Sequence, residues 1–215
     1  MEIVARIDQT KYDVFRWRYE LSIPKKLVLA LGMAALVGLL AQTRIPLPWT
    51  PIPITAQTFA VLLAGVFLGR RWGGASLAIY AGLGFAGLPW FSDWASGFGA
   101  TRGYIIGFIL AALFMGHFTD KYIRSRSFFS MLGLMLFANF IIIYVPGLLW
   151  LWLWLKIVDG TSATFVALLG MAVTPFIAGD IIKAVAAAII ARGVTPKSAY
   201  NGEVDKSKWA NWRIP

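Results

Sequence analysis

Residues 127–155 read SFFSMLGLMLFANFIIIYVPGLLWLWLWL, a run without one charged side chain. A helix crosses the ~30 Å hydrocarbon core of a bilayer with about 20 residues, so this run is long enough to do so. In a chain of 215 residues, a helix that is apolar on every face has no protein core large enough to hide it, and hydrocarbon is the solvent it fits. Shorter uncharged runs flank it on both sides, at 27–43, 45–69, 72–92 and 160–179, with a further run at 103–119 interrupted by His117. Hydrophobic residues make up 59% and charged residues 14% of the chain, against about 45–50% and about 25% in an ordinary soluble domain. The mean hydropathy of +0.70 agrees. The fold class expected is an all-α integral membrane protein. With no cysteine, disulfide frameworks, thiolate metal sites and cysteine nucleophiles are excluded.

Prolines trim two of the runs. Pro46, Pro48, Pro51 and Pro53 stand in RIPLPWTPIPITAQT. Each removes a backbone donor and biases the preceding residue to extended geometry, so 43–54 is expected to be an ordered outer capping loop. In VTPFIAGDIIKAVAAAIIARG, Thr174 stands as an N-cap and Pro175 as a first helical residue, which predicts a fresh helix from about 175. Residues 148–172 are then an apolar hairpin or interfacial segment; the alternative is one helix from about 161 kinked at Pro175. Six transmembrane spans result, at about 26–42, 55–69, 72–89, 103–119, 128–146 and 175–192. They make a membrane domain over 25–193, between an N-terminal segment 1–24 and a polar tail 194–215.

The formal net charge of +10 does not point to nucleic acid, because the basic residues sit in short groups between apolar runs rather than on one solvated face. Such grouping sets membrane topology. With the N-terminus inside, sixteen of the 20 Lys and Arg fall on the cytoplasmic side, and Arg44, Arg102 and Lys156 on the outer side; Lys183 lies within the last span. Both termini are therefore expected in the cytoplasm. Glu2, Asp8, Asp13 and Glu20 interrupt the first segment, which does not read as a secretory signal. Its Tyr12, Phe15, Trp17 and Tyr19 suit an interfacial segment, or equally a partly ordered basic tail.

Ionisable groups at membrane depth are rare because they are costly there. Asp180 and Lys183 are three positions apart near the outer end of the last span, on one helical face. They form either an internal salt bridge or a joint grip on a polar ligand. Gln57 and Thr58 open the second span, and the loop GLPWFSDWASGFGATRGY adds Trp90, Phe91, Asp93, Trp94, Arg102 and Tyr104. Aromatic walls with a few oriented polar groups of both signs fit a small-molecule pocket. Trp150, Trp152 and Trp154 read as an interfacial strip. Catalysis finds no support: there is no GxxxxGK[ST] phosphate loop, His117 has no partner for a metal or a triad, and a lone intramembrane Asp cannot make an aspartyl dyad. No catalytic residue, cofactor or metal is expected.

Four ordered stretches carry a resemblance: PIPITAQTFAVLLAGVFLG (51–69), GLGFAGLPWF (82–91), TRGYIIGF (101–108) and TPFIAGDIIKA (174–184). In order and spacing they resemble the BioY family, the biotin-specific substrate-capture (S) components of energy-coupling factor (ECF) vitamin transporters. The likeness covers about 27–192. It implies a six-helix S-component in the cytoplasmic membrane that captures biotin, with a T-component and paired ATPases as partners supplying the energy. It places the biotin site at Gln57, Arg102, Asp180 and Lys183 with Tyr104 nearby, and a further polar position at Ser92 or Asp93. Trp90 departs from the small apolar residue commoner in the family, and as an aromatic wall residue it is expected over the fused rings. It also assigns the small-residue ridge Ala30 and Ala34 of the first span to docking the T-component. An S-component for another vitamin, or a membrane subunit that transports nothing, are the alternatives.

Overall fold

A computed structural model of the chain describes residues 2–200 and 202–205. Helix α1 is Glu2–Glu20 and α2 is Ile23–Gln42, with a proline in its first turn, where a missing N–H costs nothing. Helix α3, Gln57–Phe85, breaks at Gly69 (φ 77°, ψ 176°), a left-handed backbone that glycine adopts without strain. Its halves double back there: a Cβ on Gly73 would lie 2.8 Å from the Gly65 Cα. These halves correspond to the spans expected at 55–69 and 72–89, the second ending at Phe85. Helix α4 follows at Arg102–Lys121.

Helices α5 (Phe128–Phe137) and α6 (Tyr144–Ile157) are joined without interruption by a π-helical turn, Ala138–Ile143. Pro146 explains the widening. It has no N–H to give to the Ile142 carbonyl, and its ring would collide with that carbonyl in a regular helix. The helix expected to stop near 146 therefore runs on to Ile157, and 148–157 is helix rather than a hairpin.

Helix α7, Phe165–Ala172, leads through a 3₁₀ turn, Thr174–Phe176, into α8, Ile177–Val194. The fresh start after Pro175 is present, but Thr174 is not its cap: its hydroxyl donates back to the Leu169 carbonyl at 2.9 Å. The proline loop is ordered and, against the all-helical expectation, contains a strand pair. Arg44–Ile45 pairs antiparallel with Ile54–Thr55, Arg44 opposite Thr55.

Among the described residues, four helical stretches are long and apolar enough to cross a membrane: Ile23–Gln42, Arg102–Lys121, Phe128–Ile157 and Phe165–Val194. Large apolar side chains cover their outer faces, among them Val28, Leu39, Leu149 and Ile182. The protein is a multi-pass membrane protein.

Close helix packing replaces the hydrophobic drive that lipid does not supply. A Cβ on Gly107 of α4 would lie 2.7 Å from the Ile143 Cα, so α4 meets the π turn backbone to backbone. Ala30 and Ala34 serve the same end. Both are fully buried, and α3 is the main packing partner of α2. The expected docking ridge is thus spent inside the chain, and the outward face of α2 carries Leu27, Val28, Leu31 and Leu39 instead.

At the end of the bundle formed by the Gly69 bend and the C-terminus of α4, α1 is docked rather than loose. Its Arg18 donates to the Val66 carbonyl at 2.6 Å and to the Asp120 carboxylate at 2.6 Å, and Phe15 is buried. Burial opposes the Arg18 charge, but Asp120, helped by Tyr200 and Tyr19, outweighs it and raises its pKa. The polar tail is tied in as far as it is described. Glu203 pairs with Arg126 at 2.7 Å with both side chains buried, and Asp205 accepts the Ile123 and Arg124 N–H groups. Residues 206–215, with Lys206, Lys208 and Arg213, lie outside the described residues.

Gly107→Val is expected to lower stability by about 1–3 kcal/mol, the usual cost of overpacking, because the π-turn backbone cannot yield as a side chain would. Thermal unfolding in detergent checks this; an unchanged midpoint would mean the two backbones are not in contact.

Candidate functional site

Asp180 lies in the first turn of α8 and is 3% exposed. A carboxylate buried there must be fully partnered, and it is. Lys183 Nζ stands 2.5 Å from Oδ1, and the Thr58 hydroxyl reaches the same oxygen at 3.5 Å. On Oδ2, Asn139 donates its amide at 2.9 Å, and Tyr144 donates its hydroxyl in a short hydrogen bond. Asn139 and Tyr144 are five positions apart, about 140° around a regular helix of 3.6 residues per turn. The i→i+5 turn at Ala138–Ile143 is what brings both to one oxygen.

Lys183, 18% exposed, also donates to the Thr55 carbonyl at 2.9 Å, fastening the second strand of the capping loop to α8. An ammonium has three protons, so one remains for the space in front of it. That space is a cleft of about 620 Å³, its open mouth included. Ile52, Pro53 and Thr55 of the loop border it, with Tyr80, Phe91, Tyr104, Phe108 and Phe176 as apolar and aromatic wall.

Arg102, at the start of α4, is 6% exposed. Its guanidinium donates to the Gly97 carbonyl at 2.6 Å, the Thr101 hydroxyl at 3.1 Å and the Ser96 carbonyl at 3.4 Å, and lies 4.5 Å from the Phe91 ring centroid. Among the described residues it has no carboxylate partner. Among the described residues the charged groups lining the cleft are Arg102, Lys183 and Asp180, so the side chains of the cleft sum to one net positive charge. A buried cation without a counter-charge is costly, and an anionic ligand would relieve it.

Of the residues singled out from sequence, Gln57, Arg102, Tyr104, Asp180 and Lys183 meet in this cleft; Trp90 and Asp93 do not. Gln57 donates to the Tyr80 hydroxyl at 2.7 Å, and Tyr104 donates to the Ala172 carbonyl at 3.3 Å. Trp90 is turned behind the wall, donating its indole N–H to the Tyr80 carbonyl at 2.9 Å and packing on Gly38 of α2. Asp93 sits in left-handed backbone (φ 67°) at the tip of a tight turn and pairs at 2.5 Å with Arg44. Gln42 fixes that turn, donating to the Phe91 carbonyl at 2.9 Å and accepting the Trp94 N–H at 3.1 Å. The clamp turns Phe91 and Ser92 inward instead, and the Ser92 hydroxyl is buried without a hydrogen-bond partner.

Sequence reasoning missed Asn139, Tyr80 and Tyr144. Asn139 left a signal, as the one amide inside an otherwise uncharged run. Nothing in the sequence marked Tyr80 or Tyr144.

A membrane-embedded helical bundle with a roofed, charged and aromatic-walled cleft opening at one end is the architecture of a solute-binding membrane subunit. The sequence narrows the class. The profile of the BioY family matches residues 11–200, and the chain belongs to the BioY family. The chain is 51% identical over 157 residues, 71% of its length, to the whole of a probable biotin transporter BioY from Methanothermobacter thermautotrophicus. With the biotin transporter BioY of Rhizobium etli the identity is 34% over 179 residues, covering 77% of this chain and 89% of that one. Among solved structures, the S-component for biotin from an ECF-type ABC transporter superposes with a TM-score of 0.68 at 26% identity, covering 80% of this chain and 93% of that chain.

Asp180→Asn removes the counter-charge of Lys183 and turns an amide donor toward groups that already donate. Because Lys183 is 18% exposed, the loss should fall below the about 3–5 kcal/mol of a fully buried pair. A lowered thermal midpoint of the ligand-free protein is the expected outcome, and an unchanged one would contradict the four-donor arrangement.

Proposed function

We propose that this protein captures biotin and serves as the substrate-binding subunit of an ECF-type transporter. The observation that carries the reading is the charge balance of the cleft: one buried carboxylate held by four donors, and one buried guanidinium with no anion. Biotin offers a ureido group with two N–H donors and a carbonyl, an apolar fused ring, and a carboxylate at the end of an alkyl chain. Arg102 takes the carboxylate, which neutralises the cleft. Charge-assisted bonds in a dry site are the stronger kind, so the ionised Asp180 is the natural acceptor for a ureido N–H. The Thr58 hydroxyl, at 3.5 Å the longest of its four contacts, is the one to give way. The free proton of Lys183 meets the ureido carbonyl. Phe91 and Tyr80 cover the ring in the place first assigned to Trp90, and Gln57, Ser92 and Tyr104 complete the polar lining.

In this reading α2, the two halves of α3, α4, α5 with α6, and α7 with α8 are the six spans. Sixteen of the 20 Lys and Arg on one side put both termini in the cytoplasm. The strand pair and prolines of 43–54 form the outer cap, with the cleft facing outward beneath it. The chain catalyses no reaction; a T-component and paired ATPases, reached through surfaces other than Ala30 and Ala34, supply the energy that carries biotin inward.

Calorimetric titration of the purified protein with biotin, desthiobiotin and thiamin in parallel tests the ligand: biotin should bind tightly and thiamin not at all. Binding of thiamin in preference to biotin would overturn the assignment. Arg102→Met should weaken biotin by roughly tenfold or more, about 1.4 kcal/mol, and leave the affinity for biotin methyl ester nearly unchanged. Equal losses for acid and ester would remove Arg102 from the carboxylate. Asp180→Asn should weaken both by at least roughly tenfold.

A further inference from the structure

A second cavity lies at the opposite end of the bundle, between α1, the Gly69 bend and the C-terminus of α4. It encloses about 980 Å³, its open mouth included. Arg18, Lys26, Arg70, Arg71 and Lys121 line it with His117, against a single carboxylate, Asp120. That carboxylate is already shared, taking the Arg18 guanidinium at 2.6 Å and the Arg70 backbone N–H at 2.8 Å. Lys26 donates to the Tyr19 carbonyl, whereas among the described residues no hydrogen bond or ion pair engages the side chains of Arg70, Arg71 or Lys121. Arg18 is 8% exposed, and its Nε is buried without a hydrogen-bond partner.

We infer that this cavity binds a phosphate group, supplied by the headgroup of an anionic membrane lipid. Five cations around one carboxylate leave an excess of positive charge that a phosphate fits. Guanidinium forks match phosphate oxygens in geometry as well as charge. A soluble phosphate shares that chemistry, but the surroundings favour lipid. An adjoining recess shares Arg18, Lys26, Leu68 and Trp72 with the cavity and adds Leu29, apolar lining beside the charges where an acyl chain begins. Basic pockets between membrane helices hold anionic headgroups in this manner. The inference is independent of the ligand assigned to the Asp180 cleft.

Binding of a fluorescent phosphatidylglycerol analogue to the full chain in zwitterionic detergent, at fixed ionic strength, tests it. Phosphatidylglycerol should displace the probe and phosphatidylcholine should not. The double variant R70Q/R71Q should bind roughly tenfold more weakly or worse. K25Q/K197Q, which removes two exposed charges that do not line the cavity, should keep wild-type affinity. Displacement by millimolar inorganic phosphate would keep the site and assign it to a soluble phosphate. Equal loss in both double variants, or loss in neither, would overturn the proposal, since charge would then act diffusely or not at all. Unchanged biotin affinity in R70Q/R71Q reports that the variant is folded.

Discussion

An ionised carboxylate in a membrane protein interior survives only if every lone pair is used, and Asp180 organises the bundle around that requirement. Its four donors come from three helical stretches: Thr58 from α3, Asn139 and Tyr144 from the α5–α6 segment, and Lys183 from α8 itself. Lys183 extends the network to the capping loop through the Thr55 carbonyl. The residue that defines the cleft thus also joins its walls to its roof, and a ligand that takes one of these bonds perturbs the contacts that close the site.

The two ends of the bundle answer the cost of charge in different ways. At the cleft, Asp180 is saturated while Arg102 has only neutral partners among the described residues, so the unmet demand is for an anion. At the other end, Asp120 is divided between Arg18 and the Arg70 backbone, and Glu203 is buried against Arg126. These pairs fasten α1 and the tail to the bundle but leave several basic side chains open. Both ends therefore have positive charge to spare, one within an aromatic-walled cleft and one within a cavity beside α1.

Glycine and proline convert sequence into this arrangement. Gly69 permits the bend that folds α3 on itself, and Gly107 lets α4 reach the π-turn backbone. Pro146 forces the wider turn that aligns Asn139 with Tyr144. Pro175 separates α7 from α8, so that α8 begins close to Asp180. The prolines of 43–54 keep the cap irregular except where two short strands pair.

Much of this was legible in the chain. Uncharged runs marked the membrane helices because no soluble core of this size could hide them, and proline positions marked where helix had to stop. The i, i+3 spacing of Asp180 and Lys183 marked the centre of the site because charge at that depth is too costly to be incidental. Periodicity could not show that the helix after 146 continues, since a proline can widen a turn as readily as end one. Nor could it show that Ala30 and Ala34 are buried within the chain, because a small residue suits an internal interface and an external one equally. The inward choice of Phe91 and Ser92 over Trp90 and Asp93 depends on Gln42, some fifty residues earlier, holding the intervening turn. Local pattern therefore determined which runs belong in the membrane and which charged groups stand within them. Only the packing of distant helices decided which of them share a cavity, because that depends on backbone approach and hydrogen bonds between residues that sequence spacing does not relate.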